Sequence, residues 1–230
     1  MDSRDTQIRI LEAAERLFAE TGVEAASVRA ITAAAGVNLA AVHYHFGSKE
    51  GLARAVIARR LGPINGERLR LLDAAEVAAG SEAPGLEAVL AALVGPILRL
   101  RQDPGHGGPH FMCLLARLYH GGPRELKGAV LEEFRPVRER FMQALARNAP
   151  HLSEAELAWR VHFAIGALLF TAGGESILEH FAADPADPEV TERCLVGFLA
   201  AGLRAPGTGP ATGRIPGSGA GAAGSGATCG

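Results

Sequence analysis

The sequence contains few cysteines, and their number and spacing restrict the chemistry of the protein. Cys113, Cys194 and Cys229 are odd in number and lie far apart in the chain. They form neither a disulfide framework nor the paired spacing of a zinc site. We interpret them as thiols of a protein kept in a reducing cytoplasm.

Long apolar runs and a secretion signal are also missing. The longest apolar stretch, 163–172, is far shorter than the roughly 20 residues that cross a bilayer. The N-terminus has acids and arginines where a signal peptide needs a basic start and then an apolar run. The sequence therefore predicts a cytoplasmic protein with no membrane span.

Residue combinations typical of catalysis do not stand out either. We find no nucleophile beside a base, no paired acids on one helix face and no zinc-type spacing. Glu132 and Glu133 are interpreted as a solvated helix face, and Ser176 has no flanking elbow motif. We predict no enzymatic activity, no cofactor and no metal, and keep a helical enzyme as an alternative.

What the chain does have is helical periodicity along most of its length, with no sustained strand alternation, which predicts an all-α fold. A first helix is expected at 5–21. Ser27 and Asn38 can cap two short helices that follow, and Gly36 separates them. Ser48 begins a fourth helix, which Pro63 is predicted to end. These helices form a predicted first domain, 1–62.

A larger helical domain is predicted for residues 63–205. Its helices are expected at about 65–79, 86–102, 110–120, 124–148, 154–181 and 189–204. Pro136 is predicted to kink or interrupt the fourth of these. Residues 206–230 are rich in Gly and Ala and have too little apolar surface to fold, so they are predicted to form a disordered tail.

The two short helices joined by Gly36 predict a helix-turn-helix whose second helix lies in the DNA major groove. Net charge is only −2, but residues 27–60 carry five basic residues against one acid. This basic stretch predicts one DNA-facing side, with the acids of the first helix facing solvent. The predicted DNA-binding residues are Ser27, Val28, Arg29, Asn38, Leu39, Ala40, Ala41, His43, Tyr44, His45 and Lys49.

Several landmarks occur in the order and spacing of a known family. They are Phe18 to Gly22, Ser27, Ile31, Ala35-Gly36-Val37, His45-Phe46, Ser48-Lys49-Glu50 and Leu52. With these landmarks the first quarter of the chain resembles the TetR family of transcriptional regulators. The run 58–69 also resembles the start of a CecR-type C-terminal domain within that family.

The resemblance implies a homodimer that pairs through the last two long helices, 154–181 and 189–204, and binds a palindromic operator as a repressor. It also implies an apolar or amphipathic small-molecule effector that moves the fourth helix and releases the DNA. His43 stands where the family usually has a tyrosine, and Ala41 where it commonly has a hydroxyl residue. These departures keep open a second alternative, a small-molecule-binding dimer whose DNA-binding face is vestigial.

Two stripes of residues at helical spacing provide the candidates for ligand contacts in the larger domain. Such stripes belong to a core, a dimer seam or the lining of a pocket, and the sequence leaves the three interpretations open. The candidate ligand-binding residues are His110, Phe111, Cys113, Leu114, Arg117, His120, Trp159, His162, Phe163 and Phe170.

Overall fold

The computed structural model of the protein describes residues 3–101, 103, 107–173 and 187–207, without the side chains of residues 120, 173 and 188. This part of the chain contains nine α-helices and no strand, which confirms the all-α prediction. The helices are α1 (Ser3–Thr21), α2 (Val28–Ala35), α3 (Leu39–Phe46), α4 (Lys49–Ala79), α5 (Leu86–Arg101), α6 (Gly108–Gly121), α7 (Arg124–Asn148), α8 (Glu154–Gly173) and α9 (Pro188–Arg204).

Local hydrogen bonds fix the short helices where the sequence predicts them. The Ser27 side chain accepts from the Ala30 amide at the start of α2, and the Asn38 side chain accepts from the Ala41 amide at the start of α3. Gly36 ends α2 with a φ of 63°, a left-handed conformation that favours glycine. The predicted capping residues of both helices are confirmed.

The predicted break at Pro63 is wrong, because α4 continues through this residue from Lys49 to Ala79. Proline removes one backbone hydrogen bond and crowds the preceding turn, which normally interrupts a helix. Here Pro63 is exposed, while Leu61 and Ile64 beside it are buried. Tertiary packing on both sides of the proline therefore outweighs the local preference, and the predicted domain boundary at 62 lies inside one helix.

The remaining helices follow the predicted positions with shifts of one to two residues at most described ends. Pro136 does not interrupt α7, which is continuous from Arg124 to Asn148, so that part of the prediction is wrong. Residues 174–181, the predicted end of the long eighth helix, and residues 208–230 of the predicted disordered tail lie outside the described residues.

Packing around α4 joins the two parts of the molecule. α4 contacts α1 in the N-terminal part and α5 and α7 in the larger part, and α6 lies between α1 and α8. Phe18, Ile31 and Leu52 are fully buried near the helix-turn-helix, and Leu90, Ile97 and Phe111 in the larger part. Among the described helices, none is long and apolar enough to cross a membrane.

Candidate DNA-binding surface and ligand cavity

The recognition helix α3 presents an exposed face that suits close approach to DNA. Leu39, Ala40, His43 and Tyr44 are exposed, and Tyr44 is 84% exposed. Val42 on the opposite side is buried in the core. Because one side of α3 is anchored by Val42, these four side chains are held on a surface that no other described element covers.

The other predicted DNA-binding residues of α2 and α3 occupy mixed positions. Arg29 is exposed, whereas Val28 and Ala41 are half-buried and pack against the core. Ser27 and Asn38 are exposed, but their side-chain oxygens accept the capping bonds of α2 and α3. His45 is half-buried, with its ring edge-on to that of Tyr44 at a centroid distance of 5.0 Å.

His43 has one ring nitrogen committed within the fold. Its Nδ1 lies 3.0 Å from the carbonyl oxygen of Gly47. A carbonyl only accepts, so Nδ1 carries the hydrogen, and Nε2 of the neutral ring is then an acceptor. His43 can therefore donate to a DNA phosphate through Nε2 only as the imidazolium.

Lys49 links the start of α4 to the loop between α1 and α2. Its Nζ donates to the carbonyl of Glu24 at 2.9 Å and to that of Ala26 at 3.3 Å. An ammonium group has three donors, so one N–H remains for a phosphate. The side chain thus has a structural role that the sequence did not predict, and its contact with a DNA phosphate stays a prediction.

The predicted basic side is smaller than the sequence count suggests. Arg59 pairs with Glu12 at 3.2 Å, and Arg60 pairs with Glu15 at 2.8 Å. Glu15 is only 2% exposed, so the prediction that the acids of the first helix face solvent is wrong for this residue. α1 neutralises the two arginines, so Arg29, Lys49 and Arg54 are the basic residues of 27–60 for which the described residues provide no ion pair; Arg54 donates to the neutral carbonyl of Glu125 at 3.3 Å.

The first stripe of predicted ligand residues lies mostly against α1. The Cys113 thiol donates to Ala19 O at 3.5 Å, and Arg117 Nη2 donates to Glu20 O at 3.3 Å. Phe111 and Leu114 are buried in the core, and His110 is exposed. The side chain of His120 lies outside the described part. These contacts connect α6 to the helix-turn-helix.

The second stripe divides between two surfaces. Trp159, Phe163 and Phe170 are exposed large side chains on α8, which excludes the core interpretation for them within one subunit. His162 instead lines an internal cavity and lies within 3.3 Å of the Tyr119 hydroxyl. The rings of Trp159, His162 and Phe163 contact one another, with centroids 5.8 to 6.3 Å apart, but only His162 of the four predicted residues lines the cavity.

The cavity, about 340 Å³ in volume, lies between five helices and is within the usual size range of ligand pockets. Its polar lining residues are Arg68, Tyr119 and His162. The other lining residues are apolar: Leu61, Leu93, Val94, Ile97, Leu115, Val130, Leu131, Phe134, Ala164, Ile165, Leu168 and Leu169.

Arg68 is the buried charge of this cavity. The residue is 4% exposed; its Nε donates to Leu93 O at 2.7 Å and its Nη1 to Asn65 Oδ1 at 3.2 Å. The guanidinium also lies over the Phe134 ring, 5.6 Å from its centroid. Burial lowers the pKa of Arg68 to about 10, because removal from water disfavours the charged form.

Most cavity residues, including Arg68 and Tyr119, were missed by the sequence-based prediction. One signal was available: Leu61, Arg68 and Leu72 share the spacing of one helix face, so an arginine lies in a buried apolar stripe. The stripes on α6 and α8 gave no comparable signal, because only the packing of five helices shows which of their faces meet.

Family models match both parts of the chain. Residues 10–56 match "Bacterial regulatory proteins, tetR family", and residues 91–202 match "Tetracyclin repressor-like, C-terminal domain". Together the two models cover more than half of the chain. The CecR-type resemblance of residues 58–69 stays a prediction, because the C-terminal model that matches is described as "Tetracyclin repressor-like" and does not name the CecR type.

A curated relative and two solved structures agree with these models. The HTH-type transcriptional regulator UidR of Escherichia coli K12 is 38% identical over 56 residues, which are 24% of this chain and 29% of UidR. A TetR-family regulator from Bordetella parapertussis is 16% identical with a TM-score of 0.62, covering 84% of this chain and 93% of that one. The structure titled "SmeT-Triclosan complex" is 22% identical with a TM-score of 0.58, covering 92% and 99%.

The match to UidR spans less than a third of that protein and coincides with the helix-turn-helix, while the solved structures share the fold over most of the chain. The matched models describe regulators rather than enzymes. With a DNA-binding helix-turn-helix, a larger helical domain and a model match in each, this chain belongs to the TetR family of transcriptional regulators.

Proposed function

We propose that the protein is a homodimeric repressor that binds a palindromic operator and is released by an apolar or amphipathic small molecule. The observation that carries this proposal is the continuity of α4. This one helix begins at Lys49, next to the recognition helix, and carries Leu61 and Arg68 into the cavity wall. A ligand that reshapes the cavity thus acts on the same rigid element that supports the DNA-binding surface.

A second connection runs through α6. Leu115 and Tyr119 of this helix line the cavity, whereas Cys113 and Arg117 hydrogen-bond to the last turn of α1. A shift of α6 on ligand binding would therefore move α1 relative to the larger domain. A coupling of about 1 to 3 kcal/mol through these helices would change operator affinity about 5- to 150-fold.

The exposed aromatic side chains of α8 and α9 support the dimer. Phe163 of α8 and Phe198 of α9 line one shallow groove, and Trp159 and Phe170 are exposed on the same α8 helix. Large apolar side chains gathered on one surface mark an interaction site. A twofold axis at this surface would repeat the recognition helix about one DNA turn away, which requires a palindromic operator.

For the effector, the triclosan named in the SmeT structure title supports a small, largely apolar molecule in a protein of the same fold. The cavity of this chain has a matching character, with twelve apolar residues among its fifteen lining residues. We place the effector there, and we place the DNA-binding unit in residues 1–62 and the ligand and dimer unit in residues 63–205.

The test measures binding of the purified protein to a duplex from its own promoter and to a scrambled duplex, each at two salt concentrations. We expect promoter preference, two subunits per site and a steep salt dependence. Arg29→Ala should weaken binding to both duplexes and reduce the salt slope by about one. Arg138→Ala, which removes an exposed arginine of α7, is the matched control and should change neither quantity.

Two results would contradict the proposal. Equal, weak binding to both duplexes and to genomic fragments would favour a ligand-binding dimer with a vestigial DNA-binding face. A protein that stays monomeric, and whose Phe198→Glu variant behaves like Val77→Glu, would contradict the α8–α9 dimer. Val77 is an exposed apolar residue of α4 outside the aromatic surface, so its substitution controls for general effects of a new charge.

A further inference from the structure

The charges of the larger domain differ in how the fold neutralises them. Arg140 pairs with Asp73 and Glu76, Arg160 with Glu156, and Arg204 with Glu87. Arg68 is more buried than any of these arginines, yet no carboxylate among the described residues lies within ion-pair distance of it. A buried charge without a counter-charge is costly, so a fold that keeps one has a use for it.

The two hydrogen bonds of Arg68 hold the guanidinium in place without neutralising it. Asn65 is oriented by its own bond, since its Nδ2 donates to Glu133 O at 2.8 Å and its Oδ1 is left to accept from Arg68. The second acceptor is the backbone carbonyl oxygen of Leu93 in α5. Both acceptors are neutral, so a neutral donor would satisfy them equally well, and besides them the guanidinium has the face of the Phe134 ring but no counter-charge.

The free side of the guanidinium belongs to the cavity. Arg68 lines the cavity wall, and Nη2 takes no part in the two hydrogen bonds to Leu93 and Asn65. Tyr119, Leu131 and His162 of the same lining are exposed, whereas Arg68 is almost inaccessible from outside. The cavity therefore runs from a solvent-exposed end to an inner end that carries one positive charge.

We propose that the effector is an amphipathic carboxylate whose anionic group binds Arg68 and whose apolar body fills the cavity between α4, α5, α6, α7 and α8. Folding has already removed the guanidinium from water, so binding desolvates only the ligand's carboxylate. A charge-assisted hydrogen bond formed in such a site favours the anion over a neutral analogue of the same shape. This inference rests on the proposed function, because it assigns the ligand class of the same regulator.

The test compares carboxylates with matched neutral and cationic molecules by calorimetric titration of the full-length protein. The probes are decanoate, decanol and decylammonium, and a second pair of 2-naphthoate and 2-naphthylmethanol. We expect each carboxylate to bind about tenfold or more tightly than its alcohol, and decylammonium to bind most weakly. Arg68→Met should abolish the preference for carboxylate, Arg68→Lys should keep part of it, and Arg138→Met should keep all of it.

Binding of the alcohols also shows whether the Arg68→Met variant is folded, because this variant retains an apolar cavity and should still bind them. Equal affinities of acid and alcohol in the parent protein, or no carboxylate binding, would overturn the inference. So would a preference that persists in Arg68→Met. Promoter binding measured in parallel distinguishes failure of the proposed function from failure of the ligand assignment. If the parent protein does not bind the promoter, the result counts against the proposed regulator. If it binds the promoter but shows no preference for carboxylates, the result counts only against the carboxylate effector.

Discussion

Two buried charges at α4, Glu15 packed against this helix and Arg68 within it, differ in whether the fold provides a counter-charge. Glu15 of α1 meets Arg60 of α4 through two hydrogen bonds of 2.8 Å, so its charge is neutralised where α1 packs on α4. Arg68 lies about two turns further along α4 and has only neutral acceptors. The paired charge holds two helices together, whereas the unpaired charge faces a cavity.

A buried charge that the fold pairs and one that it leaves unpaired differ in what they contribute to stability. A buried ion pair satisfies itself, and removing one partner leaves the other charge stranded. A buried charge without a partner gains little from the fold, and its removal costs little stability. The two classes should therefore respond to substitution with different magnitudes, and the next predictions measure those responses.

The largest effect is expected for Glu15→Gln. The substitution leaves the Arg60 guanidinium largely buried beside a neutral amide, which should lower the free energy of unfolding by about 3 to 5 kcal/mol. Urea unfolding at fixed protein concentration measures this value. Glu12→Gln is the matched control, because Glu12 pairs with the neighbouring Arg59 but its side chain is 58% exposed; about 1 kcal/mol or less is expected there. Similar losses in both variants would show that the buried Glu15–Arg60 pair contributes no more stability than the exposed Glu12–Arg59 pair.

A smaller effect is expected for Arg68→Met. Removal of the buried charge relieves its desolvation cost, while Asn65 Oδ1 and Leu93 O each lose a donor, which costs about 1 to 3 kcal/mol for each buried acceptor left unsatisfied. The two terms oppose each other, so the variant should unfold within about 1 kcal/mol of the parent or be more stable. Urea unfolding without any added ligand gives the answer. A loss as large as that of Glu15→Gln would show that Arg68 is a structural residue.

These contrasts also show what the sequence could and could not predict. The ends of α2 and α3 were predictable, because Ser27 and Asn38 cap amides only three residues away. Pro63 gave a wrong helix end, since the packing of Leu61 and Ile64 outweighs a local preference that the sequence expresses clearly. Patterns of local spacing therefore succeed where the hydrogen bonds themselves are local.

The candidate sites were harder to predict than the fold. The position of α3 was predicted correctly, whereas its contact with DNA stays a prediction. The partners of Lys49 and Arg60 could not be predicted, because they come from distant positions in α1 and the loop after it. The cavity was missed except for His162, because its wall depends on how five helices are rotated against one another. An arginine in an apolar stripe was the one local signal for that wall.

The smallest effect is expected at the exposed ion pair of Arg204 and Glu87, because solvent weakens the attraction between exposed charges more than that within the buried pair of Arg60 and Glu15. Arg204 donates to the Glu87 carboxylate and lowers the pKa of that group, assisted by the backbone N–H of Glu87 and opposed by slight desolvation. A lowered pKa in the folded state adds stability above the ordinary pKa of glutamate, and this stability is lost as pH falls through the lowered value. Glu87→Gln should therefore be slightly less stable than the parent at pH 7 and equal to it once the pH has fallen below the lowered pKa of Glu87. The difference should also shrink in high salt.

Glu139→Gln, at an exposed position of α7 with no ion pair among the described residues, should follow the parent at every pH. If the difference in stability between Glu87→Gln and the parent did not change with pH, the Glu87 side chain would act through packing and not through its charge. Exposure to solvent would then not explain why the Arg204–Glu87 pair contributes little stability.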